Sequence, residues 1–253
     1  MTSQSNWIPV SGSSDLLPAS ARAVVLPDHD VVIWRERSGV VHAWENRCPH
    51  RGMRLSFGQV RDDRLVCRYH GWGFDDEGQC QSIPASPQMT APPTACTKTW
   101  ASNETAGLIW INITDEALDD TVPTDLNSEV PGTLIFCKSI FLDGELGDLI
   151  TRMRTARFLP YGFEGNAQDL TWSNSDLSNN TIIISASGKV EDQIIIAGHQ
   201  ASEGRCGLHL LIQSDETEAE DRLRRLHYAN WAKRLRWFLV NADLASDGFQ
   251  VIV

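Results

Sequence analysis

The chain has 253 residues, 42% of them hydrophobic, with 33 acidic side chains against 22 Lys and Arg and a formal net charge of −11. That length allows one large domain or two modest ones with a sizeable core, and the composition excludes collagen-like, coiled-coil and low-complexity classes. The acidity argues against a nucleic-acid footprint over the chain, and no run of about 18 apolar residues marks a membrane span.

Met1–Trp7 has neither the basic start nor the apolar stretch of a signal peptide, so a cytoplasmic setting is expected. In that reducing compartment Cys48, Cys67, Cys80, Cys96, Cys137 and Cys206 read as metal ligands, buried small hydrophobes or neutral surface thiols, not as disulfide partners.

Residues 7–114 read as short strands. The β-branched and aromatic runs are 23–26, 31–34, 40–44, 65–67, 72–74 and 107–112. Asp28–Asp30, Arg37–Gly39 and Asp75–Gly78 punctuate them as turns. Many short strands with regular turns predict an antiparallel sandwich or barrel. Between Thr114 and Gly132 acids dominate and Pro123 and Pro131 interrupt, which predicts a linker over 115–132.

Residues 133–253 differ in kind. Leu134–Phe136 and Ile140–Leu142 fit one strand, Glu145–Met153 a short helix, and 181–185, 193–197 and 207–213 three more strands. A long amphipathic helix is predicted from Asp215 to about Asn241. Its apolar side is read as Leu223, Leu226, Trp231, Leu235, Phe238 and Leu239, with Glu216, Glu218 and Glu220 suiting the helix dipole. The expected class is mainly β with α+β, divided as 1–114, 115–132 and 133–253.

Two motifs carry the chemistry: Cys48-Pro49-His50-Arg51-Gly52 and Cys67-Arg68-Tyr69-His70-Gly71-Trp72. Sixteen residues separate His50 from Cys67, enough for a strand out and a strand back, which brings both loops to one tip of a sheet. Zinc fingers pair Cys with Cys and then His with His. Here each loop offers a mixed pair, which suits an asymmetric two-metal cluster.

The spacing Cys-x-His followed by Cys-x-x-His resembles the Rieske [2Fe–2S] signature, in which two His replace two Cys on one iron. The resemblance implies one iron on Cys48 and Cys67 and the other on His50 and His70, with Gly52 and Gly71 letting backbone amides approach the sulfides. Two thiolates and two neutral imidazoles leave the oxidised cluster uncharged, hence easier to reduce than a four-thiolate one. Rieske potentials span about −150 to +300 mV, against about −400 mV for plant-type ferredoxins.

Trp44–Ser56, Cys67–Trp72 and Gly107–Trp110 are similar to the front half of Rieske non-haem iron oxygenase subunits, over roughly residues 7–114. This implies an antiparallel Rieske β-sandwich. The extra cysteines of respiratory Rieske proteins are replaced by Met53 and Tyr69, and their hydroxyl donors by Trp72 and Phe74, which implies the low end of the potential range.

The second half departs from that family. Its mononuclear iron is held through Asp-x-x-His-x-x-x-x-His, whereas after His70 this chain has only His199, His209 and His227, none four or five residues from another. Asn166–Trp172 keeps the Asn and Asp spacing but carries Trp172 at a ligand position. The order of elements resembles a trimmed helix-grip domain. His199 and His209 fall in a predicted hairpin, where they can face each other, and are read as polar sheet or turn residues. His227 is read as a helix-edge residue. His29 is placed in a turn and His42 in a strand, neither with a role.

The expected function is an oxygenase-type Rieske electron-transfer component that takes single electrons from a reductase and passes them to a separate non-haem iron catalytic subunit. No catalytic residue is assigned. The alternative is a complete terminal oxygenase that hydroxylates or demethylates a small organic substrate at an unrecognised iron site. Neither nucleic acid nor membrane is an expected partner, and a homo- or hetero-oligomer fits either reading. Arg47, Arg51, Arg54 and Arg68 ring the cluster loops, and Arg222, Arg224, Arg225, Lys233, Arg234 and Arg236 form a second basic set, either a solvated helix face or a docking patch for an acidic partner.

Overall fold

A computed structural model describes residues 6–114, 126, 130, 132–178, 180–214 and 217–241. Two compact units emerge, one holding Asn6–Glu104 and the other residues 132–241. The predicted linker at 115–132 lies outside the described residues except for positions 126, 130 and 132.

The first unit contains β1 (Trp7–Gly12), β2 (Ser20–Leu26), β3 (His29–Arg35), β4 (Val41–Glu45), β5 (Gln59–Arg61), β6 (Arg64–Val66), β7 (Gly73–Phe74), β8 (Cys80–Ser82), β9 (Thr99–Thr105) and β10 (Leu108–Asn112). A six-stranded sheet runs β1-β10-β9-β4-β3-β2, and a four-stranded sheet runs β5-β6-β7-β8. Alternation along β3 explains the layering. Val32 and Trp34 pack with Trp44, Leu65 and Phe74 in a core shared by the two sheets. Val31 and Ile33 point the other way, against Val10, Leu26 and Ile111. The expected antiparallel sandwich is therefore present, and the fold is mainly β.

β1, β8 and β9 were not predicted, and β5 was expected only as an unplaced outgoing strand between His50 and Cys67. β9 reads Thr-Trp-Ala-Ser-Asn-Glu-Thr and is largely half-exposed, so it offers no apolar alternation to find. His29 belongs to β3, not to a turn. The chain reverses at Pro27-Asp28, with Asp28 at φ 61°.

The second unit contains β11 (Thr133–Asp143), α1 (Leu146–Met153), β12 (Thr171–Ser178), β13 (Thr181–Ser187), β14 (Asp192–Ser202), β15 (Arg205–Ser214) and α2 (Glu218–Val240). Its antiparallel sheet has the order β11-β15-β14-β13-β12. Ile182, Ile184, Ile194, Ile196, Leu208 and Leu210 meet Met153, Phe158, Trp231 and Leu235 in one apolar core. A capping box of Thr217 and Glu220 starts α2. Residues 215–216, where that helix was expected to begin, lie outside the described residues.

The predicted apolar side of α2 is partly wrong. Leu223 and Leu226 are 53% and 60% exposed, while Tyr228 and Ala232 are buried beside Trp231, Leu235, Phe238 and Leu239. At 3.6 residues per turn the last four residues define a face that Leu223 and Leu226 do not share. Arg224 also leaves the predicted basic surface. Its guanidinium lies 2.8 Å from the buried Asp192 carboxylate, which also accepts the Tyr228 hydroxyl.

In the first unit the buried Arg35 ties the strand ends together. It donates to the carbonyls of Leu16, Gly39 and Ser13 and meets Glu104 through both terminal nitrogens, at 2.7 and 3.1 Å. Burial raises the Glu104 carboxyl, but the Arg35 hydrogen bonds and charge outweigh it and hold it below its ordinary range. A lowered carboxyl contributes stability above its unfolded pKa and loses it as pH falls through the folded value. Glu104→Gln is expected to cost about 1–2 kcal/mol at neutral pH, and its gap to the unaltered chain should close below the ordinary carboxyl value of 4.5. Urea midpoints along the acid limb check both the size and the sign.

Candidate metal centre

The β5–β6 hairpin positions the two chemistry-bearing loops. Asp62 and Asp63 both adopt positive φ, 50° and 51°, as a two-residue type I′ turn requires. Gln59 pairs with Val66 and Arg61 with Arg64, so the strand leaving the first loop returns directly into the second.

The two loops share one backbone design. In the first, the Cys48 amide donates to the Met53 carbonyl at 2.8 Å, and the Gly52 amide donates back to the Cys48 carbonyl at 2.8 Å. In the second, the Cys67 amide donates to Trp72 at 2.8 Å and the Gly71 amide to Cys67 at 3.0 Å. Gly52 and Gly71 have φ of 73° and 72°, the left-handed region where a Cβ is penalised. A Cβ on Gly71 would also meet Pro84 Cγ at 2.9 Å, whereas one on Gly52 would meet nothing nearer than Arg47 Nε at 3.5 Å.

The four predicted ligands come together as an inner and an outer pair. Cys48 and Cys67 are both 2% exposed and belong to the core that includes Trp44, Leu65 and Phe74. His50 and His70 face outward, with ring centroids 4.6 Å apart at 62°. Burial pushes the Cys48 thiol up to about 11, against backbone donors from His50 and Arg51 that lower it. The neighbouring Cys67 thiol adds to the upward push on Cys48. Metal binding would therefore displace a firmly held proton. Desolvation, then the charges of His70 and Arg51, hold the His50 imidazole below its ordinary range, which favours the neutral form that binds metal.

Three features were missed from sequence. Trp72 stacks on His50 at 4.4 Å and 4°, and Tyr69 on His70 at 3.9 Å and 30°, so each imidazole is held in plane by an aromatic neighbour. The buried Asn46 anchors the root of the first loop. It accepts from the Ser56 amide at 2.7 Å and donates to Asp30 Oδ1 and Ser56 Oγ, both at 3.0 Å. The signal available was a polar Asn directly after an apolar strand. Of the expected arginine ring, Arg47, Arg51 and Arg68 are exposed, while Arg54 is turned to Asp30 at 2.6 Å.

The donor set fits a two-iron cluster. Its four side chains form two pairs, soft thiols inside and imidazoles outside. Among the described residues no three His, Cys, Asp or Glu side chains are placed to hold one ion.

In the second unit His199 and His209 are also brought together. Both are buried, their Nδ1 and Nε2 atoms lie 3.2 Å apart, and Ser139 Oγ stands 2.9 Å from His209 Nδ1. Their expected facing is thus observed, in paired strands and not in a turn. His227 bonds the Leu159 carbonyl at 2.8 Å, and His42 pairs with Glu36 at 2.8 Å beneath Trp34.

Residues 6–100 match the model of the Rieske [2Fe-2S] domain. The chain is 28% identical to Oxidoreductase NdmD of Pseudomonas putida over 95% of its own length and 41% of that protein's. It is 37% identical to Methylxanthine N1-demethylase NdmA of the same organism over 46% of this chain and 34% of that one. It spans less than half the length of these curated relatives. Among solved structures, apo dicamba monooxygenase superposes with a TM-score of 0.70 over 96% of this chain and 89% of that one, at 18% identity, which shows a shared fold. The chain is homologous to Rieske oxygenase subunits, and the cofactor of its first unit is a Rieske-type [2Fe–2S] cluster.

Alanine at either loop glycine pays for the left-handed conformation, roughly 1–2 kcal/mol. Gly71→Ala should cost more than Gly52→Ala, because only the former meets a proline ring. Denaturant melts of the two variants, compared side by side, measure the difference. Equal losses would mean that the Pro84 contact yields freely.

Proposed function

Taking residues 6–100 as a Rieske domain, we propose that Cys48, Cys67, His50 and His70 hold the cluster and that the protein is an electron-transfer component. It accepts single electrons from a reductase and delivers them to a separate catalytic subunit. When bound, the cluster supplies one-electron chemistry. The chain's own residues do the rest. Cys48 and Cys67 hold the inner side within the apolar core, away from water. His50 and His70 present the outer side to a partner, kept in plane by Trp72 and Tyr69. The exposed Arg47, Arg51 and Arg68 draw an acidic partner surface toward that edge. Cys80, Cys96, Cys137 and Cys206, none in a disulfide, accord with a reducing, cytoplasmic setting.

The observation that carries transfer over oxygenation is the interior of the second unit. A mononuclear iron held by two His and a carboxylate needs polar donors turned toward it. The space between the sheet and α2 is packed instead with Ile184, Ile196, Leu208, Leu210, Phe158 and Trp231. Trp172, at the position of a family ligand, donates its indole N–H to the Phe158 carbonyl at 2.9 Å. His209 pairs with Ala197, and strand alternation turns it away from its neighbours Leu208 and Leu210 in that interior. The relative that matches along nearly the whole chain is named an oxidoreductase, while the demethylase match covers under half of it.

The close His199–His209 pair favours the second reading, a complete oxygenase. Iron counting separates them. The purified chain should hold two irons, and the double variant His199→Gln, His209→Gln should keep both. Three irons, with one lost in the variant and the Rieske spectrum intact, would establish the oxygenase reading.

The ligand assignment has its own test. His50→Cys should retain iron and lower the reduction potential, because a thiolate adds negative charge to the site. A potential that is unchanged or raised, read by spectroelectrochemistry, would remove His50 from the ligand set.

A further inference from the structure

We propose that the outward face of α2 is a seam for one acidic amphipathic helix of a partner protein. This does not rest on the electron-transfer reading, since it concerns the second unit alone.

Among the described residues ten large apolar side chains are exposed, and four of them stand on this helix: Leu223, Leu226, Trp237 and Val240. Together with Asn230 and Lys233 they follow steps of three, four, three, four and three residues. That is the a/d pattern by which one helix seats against another. The geometry agrees. Taking Leu223 as position a, the f positions opposite the seam are Tyr228 and Leu235, and both are buried in the unit's own core. The helix thus packs on its sheet with one side and holds out a two-in-seven stripe with the other.

The pattern also selects the occupant. A helix lying on a lipid surface needs a broad apolar face. This stripe is narrow, and its middle is occupied by Asn230 and Lys233, polar residues that fix register in a helix pair at a cost in stability. From position 222 onward the flanking e and g positions carry Arg222, Arg234 and Arg236 and no acid, while Glu220, the preceding e position, is engaged with Thr217 in the capping box. A second copy would set cation against cation. From Arg222 to Asn241 there are six Lys and Arg, five of them besides the Asp192-paired Arg224, and no Asp or Glu, while the remaining chain holds sixteen Lys and Arg against all 33 acids. The seam is therefore a local cationic strip on an acidic protein. It fits a helix with apolar a and d positions and Glu or Asp at e and g.

The test uses the full chain and a labelled synthetic peptide of roughly three heptads, Leu at a and d with one central Asn, and Glu at e and g. The Glu peptide should bind by fluorescence anisotropy, and more weakly at high salt. A matched peptide with Lys at e and g should bind at least tenfold more weakly. Arg234→Glu with Arg236→Glu should invert that preference. Leu226→Gln with Val240→Gln should cost at least tenfold in affinity for the Glu peptide. Those two side chains are exposed, so the variant should melt with the unaltered chain. Equal binding of the two peptides, or no binding of either, would overturn the proposal. So would sedimentation of the chain with phosphatidylglycerol vesicles, or a dimer in sedimentation equilibrium, if either is abolished by the same Gln variant.

Discussion

Both Cys/His loops depend on one backbone pairing used twice. A cysteine amide reaches the carbonyl five residues on, and a left-handed glycine returns its amide to the cysteine carbonyl. This satisfies the polar groups at the root of each loop, so Cys48 and Cys67 can be buried without orphaned backbone. The frames match, but the imidazole rides two residues after Cys48 and three after Cys67. The outer rings consequently meet edge to face, and each takes a different aromatic support.

The second unit is organised around a buried carboxylate. Asp192 is 5% exposed and receives both Arg224 and the Tyr228 hydroxyl, which pins α2 to the start of β14. Burial, then the Asp192 charge, raises the Tyr228 hydroxyl far above its ordinary range, so it remains a donor. Such a pair fixes geometry more than it adds stability, since the cost of desolvating both charges offsets most of their attraction. With the helix held in register, the apolar side chains of α2 and of the sheet close on one another. The trimmed domain is thus a packed body.

Much of this was legible in the sequence, for identifiable reasons. The candidate ligand loops stood out because cysteine, histidine and glycine at fixed steps have few other uses. The strands in β2, β3 and β4 were readable from β-branched runs. What escaped depended on partners distant in sequence. β9 is polar and is held by its neighbours in the sheet. Leu223 and Leu226 look like core residues until the helix is rotated by the burial of Tyr228 and Ala232. Arg224 looks like surface charge until Asp192, 32 residues earlier, is brought beneath it. The His199–His209 contact was anticipated only as a possibility of strand pairing, and its burial follows from a register that periodicity does not specify.

The type I′ turn at Asp62-Asp63 bears on assembly. The proposed ligands all fall within 23 residues, Cys48 to His70, closed by a hairpin whose turn is set by two adjacent residues. Loop-closure entropy grows only with the logarithm of length, and hairpins form in about 1–10 μs. The candidate metal loops are therefore local in contact order, while the six-stranded sheet must pair β1 with β10 across nearly the whole first unit. The hairpin that joins these loops can accordingly close before that last strand pairing is made.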